Sequence, residues 1–263
     1  MSPTPRMIAE KDGPIGRLIF NKPERHNATS SDMWEAIPVI IEEFERDPEI
    51  RVVVVTGAGD KAFVSGADIS EFEKARATAD QVAHYDKIGE VANSRLVKCS
   101  KPTIARIHGY CVGGGVAIAL TCDIRIASDN ARFGVPAAKL GLGYRAAGVQ
   151  ALMNVVGPSF AKEIFYTGRL FSAQEALAMG LVNRVVPDAD LDAYVDDYCR
   201  RIAENAPLTM HTVKRTVEEL TRLDGKPDLH HIAQLVGECF ASDDYIEGRR
   251  AFMEKRKPVF KGR

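Results

Sequence analysis

Cys111-Val112-Gly113-Gly114-Gly115-Val116-Ala117 is the segment on which the reading of this chain turns. Its three glycines lead into Val116-Ala117-Ile118-Ala119-Leu120, an apolar run that reads as the start of a buried helix. The first turn of a helix leaves backbone N–H groups without intrahelical partners, and the macrodipole adds partial positive charge there. Glycine has no Cβ to hold off an approaching oxygen. Such a helix start can hold negative charge developing on a carbonyl oxygen. Close helix packing accounts for three glycines equally well when they are taken alone.

Composition narrows the setting. With 263 residues, 45% hydrophobic content and a net charge of −1, the chain reads as globular, with one large domain or two small ones. Near-neutral charge gives no electrostatic basis for binding nucleic acid or an anionic membrane surface. No apolar run approaches the ~18 residues of a membrane span, and Met1-Ser2-Pro3-Thr4-Pro5-Arg6 carries no apolar signal core. The five cysteines (Cys99, Cys111, Cys122, Cys199, Cys239) form no C-x-x-C pair, so reduced thiols in a cytoplasmic protein are expected. The six histidines show no metal-ligand spacing, and no metal is expected.

Strands and helices alternate through the first two-thirds. Ile15–Phe20, Arg51–Thr56, Pro102–Ile107 and Asp123–Ala127 read as strands, the second as a β-branched run buried on both faces. Ser31–Arg46 has apolar residues at helical spacing, with Pro38 predicting a kink or a late start. Further helices are expected from about Asp80 to Lys98 and Gly114 to Thr121, and another over Arg145–Val156. This order implies β-α-β crossovers and an α/β core. From about Leu191 to Phe252 the sequence is all helical, broken at Pro207, Gly225-Lys226-Pro227 and Ser242-Asp243. The division is therefore an α/β core over residues 1–190 and a helical C-terminal region over 191–263.

A second loop, Lys61-Ala62-Phe63-Val64-Ser65-Gly66-Ala67-Asp68-Ile69-Ser70-Glu71, follows the buried strand. Asp68 and Glu71 have capping-box spacing, which favours a structural role for Asp68. Gly66 permits an unusual backbone conformation that would leave the Ala67 N–H free. Donors from two loops, Ala67 and Gly114, would together make an oxyanion hole. Ser65-Gly66 is no nucleophile elbow, because the G-x-S-x-G pattern is missing.

The ordered segments A-F-V-S-G-A-D-I, H-G-Y-C-V-G-G-G, C-D-I-R-I-A, A-R-F-G and L-G-L-G resemble the crotonase (enoyl-CoA hydratase/isomerase) superfamily. Gly168–Pro187 and the ending Phe252–Phe260 extend the resemblance to nearly the whole chain. It implies a superhelix of stacked ββα turns and a C-terminal helical region that mediates trimerisation. A homotrimer or dimer of trimers is implied. So is an acyl-CoA substrate, its coenzyme A being part of the thioester and not a separate cofactor. The thioester oxygen would lie between the N–H groups of Ala67 and Gly114. Coenzyme A would run past Arg25, His26 and the loop of Ser65, Gly66, Asp68 and Ile69. Phe252 and Lys255 match positions near the adenine end, reached from a neighbouring subunit.

The sequence departs from the superfamily's hydratases at two positions. Where they carry two glutamates, this chain has Ala117 and Ala137. Alanine can neither activate water nor deliver a proton, work that contributes roughly 10²–10⁴-fold. A third position that is acidic in some relatives is Arg145, beside Tyr144. Tyrosine also occurs there in a decarboxylase branch acting on methylmalonyl-CoA. The guanidinium suits a carboxylate, although firm binding of a departing carboxylate would slow its loss; a capping or surface role accounts for Tyr144 and Arg145 equally well. Glu71, Tyr85 and Glu90 fall in segments that border the acyl pocket in relatives. The expectations are thus an enolate-stabilising family member that hydrates poorly, a decarboxylase or thioester hydrolase, or a non-catalytic acyl-CoA binder.

Overall fold

The computed structural model describes residues 2–68, 78–222 and 225–263. Its first sheet begins with β1 (Met7–Asp12) and β2 (Ile15–Phe20), an antiparallel hairpin closed through Gly13 in the left-handed region. From β2 the sheet continues in parallel through β3 (Val52–Gly57), β5 (Thr103–Ile107), β7 (Ile124–Ser128) and β10 (Arg184–Val186). A second sheet orders β4 (Ala62–Val64), β6 (Tyr110–Val112), β8 (Arg132–Gly134) and β9 (Phe171–Ser172), the last antiparallel.

After the β1–β2 hairpin and its helix, successive turns of chain give one strand to each sheet and then a helix. β3 and β4 precede α2 (Ala79–Val97), β5 and β6 precede α3 (Gly114–Thr121), and β7 and β8 precede α4 (Ala146–Thr167). This is the expected stack of ββα turns. The short strands of the second sheet carry little sequence signal, and only the resemblance anticipated them. α1 (Ser31–Arg46) runs through Pro38 and neither starts late nor breaks. α4 extends well beyond Val156, through Gly157 at φ +76° and Pro158. The glycine supplies a backbone turn between two helical stretches that no other residue adopts cheaply.

Period-two alternation distributes the first sheet's side chains. Val53 and Val55 face the main core with Phe20, Phe63, Ile107 and Ile118. Val52 and Val54 face a smaller cluster with Ile104 and Ile126. That second cluster is covered by Leu191, Val195 and Cys199 of α6 (Leu191–Ala203), spaced to share one helix face. A short α5 (Ala173–Ala178) precedes β10. α7 (Pro207–Leu220), α8 (Leu229–Ala241) and α9 (Asp243–Glu254) complete the helical end. Lys214 of α7 ties this end to the core through Asp123 at 2.9 Å. All five cysteines are free thiols, and burial pushes that of Cys122 up to about 12. Among the described residues no helix is long and apolar enough to cross a membrane.

Candidate active site

The glycine loop and the loop after β4 meet because their strands pair. β4 lies parallel to β6, and the chain leaves both strands on the same side. Gly115 fits against the Val64 carbonyl so closely that a β-carbon there would stand 2.0 Å from that oxygen. Gly66, at φ +112°, turns the second loop toward the first; a β-carbon on it would meet the Val112 carbonyl at 3.3 Å. The Ala67 nitrogen lies 3.8 Å from the place a Gly114 β-carbon would take. Ala67 and Gly114 are therefore neighbours.

Their N–H groups are also unspent. Thr29 pairs with Ala67 as an isolated parallel bridge: Thr29 N–H donates to Gly66 O at 2.8 Å, and Asp68 N–H donates to Thr29 O at 3.0 Å. In a parallel bridge the residue between those two bonds turns its own N–H away from the partner strand. Gly114 is the first residue of α3, where no intrahelical acceptor exists. Gly113, the N-cap, donates instead to Gly134 O at 2.8 Å. Neither the Ala67 nor the Gly114 N–H has a hydrogen-bond partner among the described residues.

Ala117 and Ala137 grow from adjacent strands. Val112 of β6 pairs with Gly134 of β8. Ala117 follows one turn into α3, half-buried, and Ala137 is buried in the 3-10 turn Pro136–Leu140. Tyr144 packs edge-on against Phe165, ring centroids 4.7 Å apart, and burial raises its phenol above the usual range. It stays protonated at neutral pH. Arg145 is the N-cap of α4 without a capping side-chain bond; it is exposed and pairs with Asp86 of α2 at 2.7 Å.

Other expected residues have more definite partners than the sequence suggested. Asp68 is buried, and its carboxylate accepts from Lys22 Nζ at 2.6 Å. The capping box foreseen with Glu71 lies outside the described residues, as does Ile69. Ser65 donates its N–H to His26 O, and its hydroxyl reaches Arg25 O at 3.5 Å. The exposed side chains of Arg25 and His26 thereby flank the loop, with the His26 ring stacked on Tyr110. The Tyr85 hydroxyl accepts from the Trp34 indole at 3.0 Å, which gives it a structural engagement, while Glu90 is exposed on α2. Phe252 and Lys255 are not part of this cluster: Phe252 lines a separate groove of about 860 Å³ among α7, α8 and α9, and Lys255 ends α9.

Sequence reasoning missed Lys22, Asn27 and Thr29. Asn27, fully buried at φ +56°, donates to Ala58 O and Ala62 O and holds the segment after β2 against β4. Asn21-Lys22-Pro23 signalled only a strand end. A lysine there gives no hint that a carboxylate 46 residues later will bury it.

The model of the enoyl-CoA hydratase/isomerase family matches residues 10–263. The short-chain-enoyl-CoA hydratase of Clostridium acetobutylicum is 38% identical over 251 residues, which cover 95% of each chain. The crotonyl-CoA hydratase of Syntrophomonas wolfei is 35% identical over 97% of each. Among solved structures, an enoyl-CoA hydratase/carnithine racemase from Magnetospirillum magneticum superposes with a TM-score of 0.92 at 37% identity, covering 100% of this chain and 97% of that one.

Proposed function

Because the chain belongs to the enoyl-CoA hydratase/isomerase family, we propose that it binds an acyl-CoA thioester and stabilises the enolate between the N–H groups of Ala67 and Gly114. The observation that carries this reading is the pair of adjacent, unpartnered N–H groups, one on a turned loop and one at a helix start. A thioester oxygen seated there gains two hydrogen bonds that strengthen as charge moves onto it. Removing one such donor elsewhere costs about 3 kcal/mol of barrier lowering. Both donors are fixed by folding, so little reorganisation accompanies the reaction. The α3 macrodipole adds to them. Arg25 and His26, exposed beside the loop, would flank the coenzyme A portion.

Hydration needs a water activated and a proton delivered, and the alanines at 117 and 137 can do neither. We therefore assign the protein an enolate-forming reaction that does not depend on that pair. Decarboxylation is favoured by the same two positions. The bond from Cα to the carboxylate breaks, its electron pair passes into the enolate, and carbon dioxide leaves; solvent then returns a proton to Cα. No base is needed, and no carboxylate at 117 or 137 repels the substrate's own.

Mass spectrometry of crotonyl-, butyryl-, malonyl- and methylmalonyl-CoA after incubation tests these readings. Loss of carbon dioxide from a carboxylated thioester is the expected result. Gain of water by crotonyl-CoA at ordinary enzymatic rates would overturn the exclusion of hydration, and free coenzyme A would mark a hydrolase. Binding without any mass change would leave an acyl-CoA carrier.

A further inference from the structure

Within the loop that presents Ala67, nearly every neighbouring polar group is committed to one frame. Two consecutive left-handed residues, His26 at φ 51° and Asn27 at φ 56°, fold the segment 22–29 back on itself. Asn27 then closes it, donating its N–H to Lys22 O at 2.9 Å and accepting from Lys22 N–H at 2.9 Å. This frame grips the Ala67 loop by backbone bonds at Ser65, Gly66 and Asp68. A charged contact joins them: Lys22 Nζ to Asp68 Oδ2 at 2.6 Å, with side chains 10% and 8% exposed.

A buried ion pair is weak evidence for stability, because desolvating two charges offsets most of their attraction. Its position has a clearer consequence. Asp68 directly follows Ala67, so its carboxylate sits close to the amide that would receive an oxyanion. A bare carboxylate there would oppose negative charge on the thioester oxygen. Lys22 cancels that charge and fixes the residue at the end of the donor segment.

Resting on the enolate reading above, we infer that Lys22 and Asp68 act as a positioning pair for the oxyanion hole. They hold the Ala67 N–H on target, and Lys22 neutralises the carboxylate of the residue that directly follows it. Neither side chain touches the reacting atoms in this role.

The test uses butyryl-CoA labelled with ¹³C at the thioester carbonyl and infrared difference spectra of its complex. Two N–H donors polarise the carbonyl and lower its stretching frequency on binding. Wild type and Lys22→Arg, which keeps the charge, are expected to show the full shift. Lys22→Met and Asp68→Asn are expected to lose most of it. The double variant Lys22→Met/Asp68→Leu replaces the pair by apolar groups, an exchange buried pairs tolerate. It is expected to fold and still lose the shift. A full shift in that double variant overturns the inference, whatever happens to the single variants. No shift in wild type overturns the enolate reading itself, and this inference with it.

Discussion

Arg145, at the start of α4, donates to Asp86 of α2 at 2.7 Å and bridges two helices that both pack on α3. With Arg145 largely exposed, the bridge adds only a few tenths of a kcal/mol to stability, as such pairs do in water. The guanidinium is thus held at the start of α4, yet can exchange partners at little cost.

Arg145→Ala should therefore leave thermal stability nearly unchanged. If the guanidinium meets the acyl end, binding of malonyl- and methylmalonyl-CoA should weaken by about 1–3 kcal/mol, the usual loss for a charge-assisted hydrogen bond. Butyryl-CoA should not respond. Titration calorimetry with the three thioesters and with Tyr144→Phe separates the outcomes, and equal binding throughout would reduce both residues to scaffold.

Gly114 allows a backbone donor to be deleted without disturbing the helix. It is the first helical residue, where proline is well tolerated. A β-carbon there meets only ordinary contacts, the nearest at 3.7 Å. Gly114→Pro should reduce turnover at least about 10²–10³-fold, because it removes the N–H and sets a ring methylene where the oxygen would sit. Gly114→Ala, which keeps the N–H, should retain most activity. Equal losses in both would point to crowding instead.

Crotonyl-CoA hydration should fall well below the median enzymatic turnover of about 10 s⁻¹. Placing carboxylates at 117 and 137 together should raise it, because both alanines follow neighbouring strands of the second sheet. Stopped-flow absorbance of the enoyl thioester follows this directly. Fast hydration by the unaltered protein would mean that another acid had taken over, with Glu71 and Glu90 first to be substituted.

His108 gives the fold a pH dependence. Its ring is buried beside the Arg106 guanidinium, and desolvation followed by that positive charge lowers it from 6.5 to about 4. The unfolded chain then binds more protons between these values, so stability falls as pH drops from about 6.5 toward 4. Denaturant melts of wild type across that range should steepen relative to His108→Gln. Parallel curves would assign the acid sensitivity to other groups.

The C-terminal helices should associate in threes. Phe240, Ile246, Phe252 and Met253 are exposed at 62%, 54%, 82% and 80% on α8 and α9, beside the groove of about 860 Å³. An apolar surface of this kind marks an interaction site. Light scattering at micromolar concentration should report a trimer or a multiple of it; a monomer would also remove Phe252 and Lys255 from any shared site.

β2, β3, β5 and β7 were legible from alternation or β-branched runs, and the C-terminal helices from the Pro, Gly and Ser-Asp breaks between them, whereas β1 and β10 were not read as strands. The second sheet was not legible either, since strands as short as Phe171–Ser172 offer too few positions for alternation to register. That the Ala67 and Gly114 loops lie together could be anticipated from Gly66 and the triple glycine, whose conformational freedom is written in the residue type. Their support could not. Lys22 and Asp68 become partners only after the chain has turned through Asn27, and nothing local to either residue encodes that contact. Pro38 does not delay the start of α1, because the packing of its apolar face outweighs one missing bond, whereas Gly157 interrupts the helical backbone just after Val156, where the sequence reading ends that helix.

The contact of Gly115 with the Val64 carbonyl has a bearing on tolerance to heat and solvent. Hydrogen bonds lengthen and exchange with water; atoms already in contact can only resist further approach. The spacing between the two donor loops is thus limited on its inner side by steric exclusion, at a place where even one methyl group would stand 2.0 Å from an oxygen. The aperture cannot collapse as the periphery loosens on warming. Loss of activity with temperature should then begin with the loops opening outward, so that affinity for the thioester declines before the helical and sheet signals do.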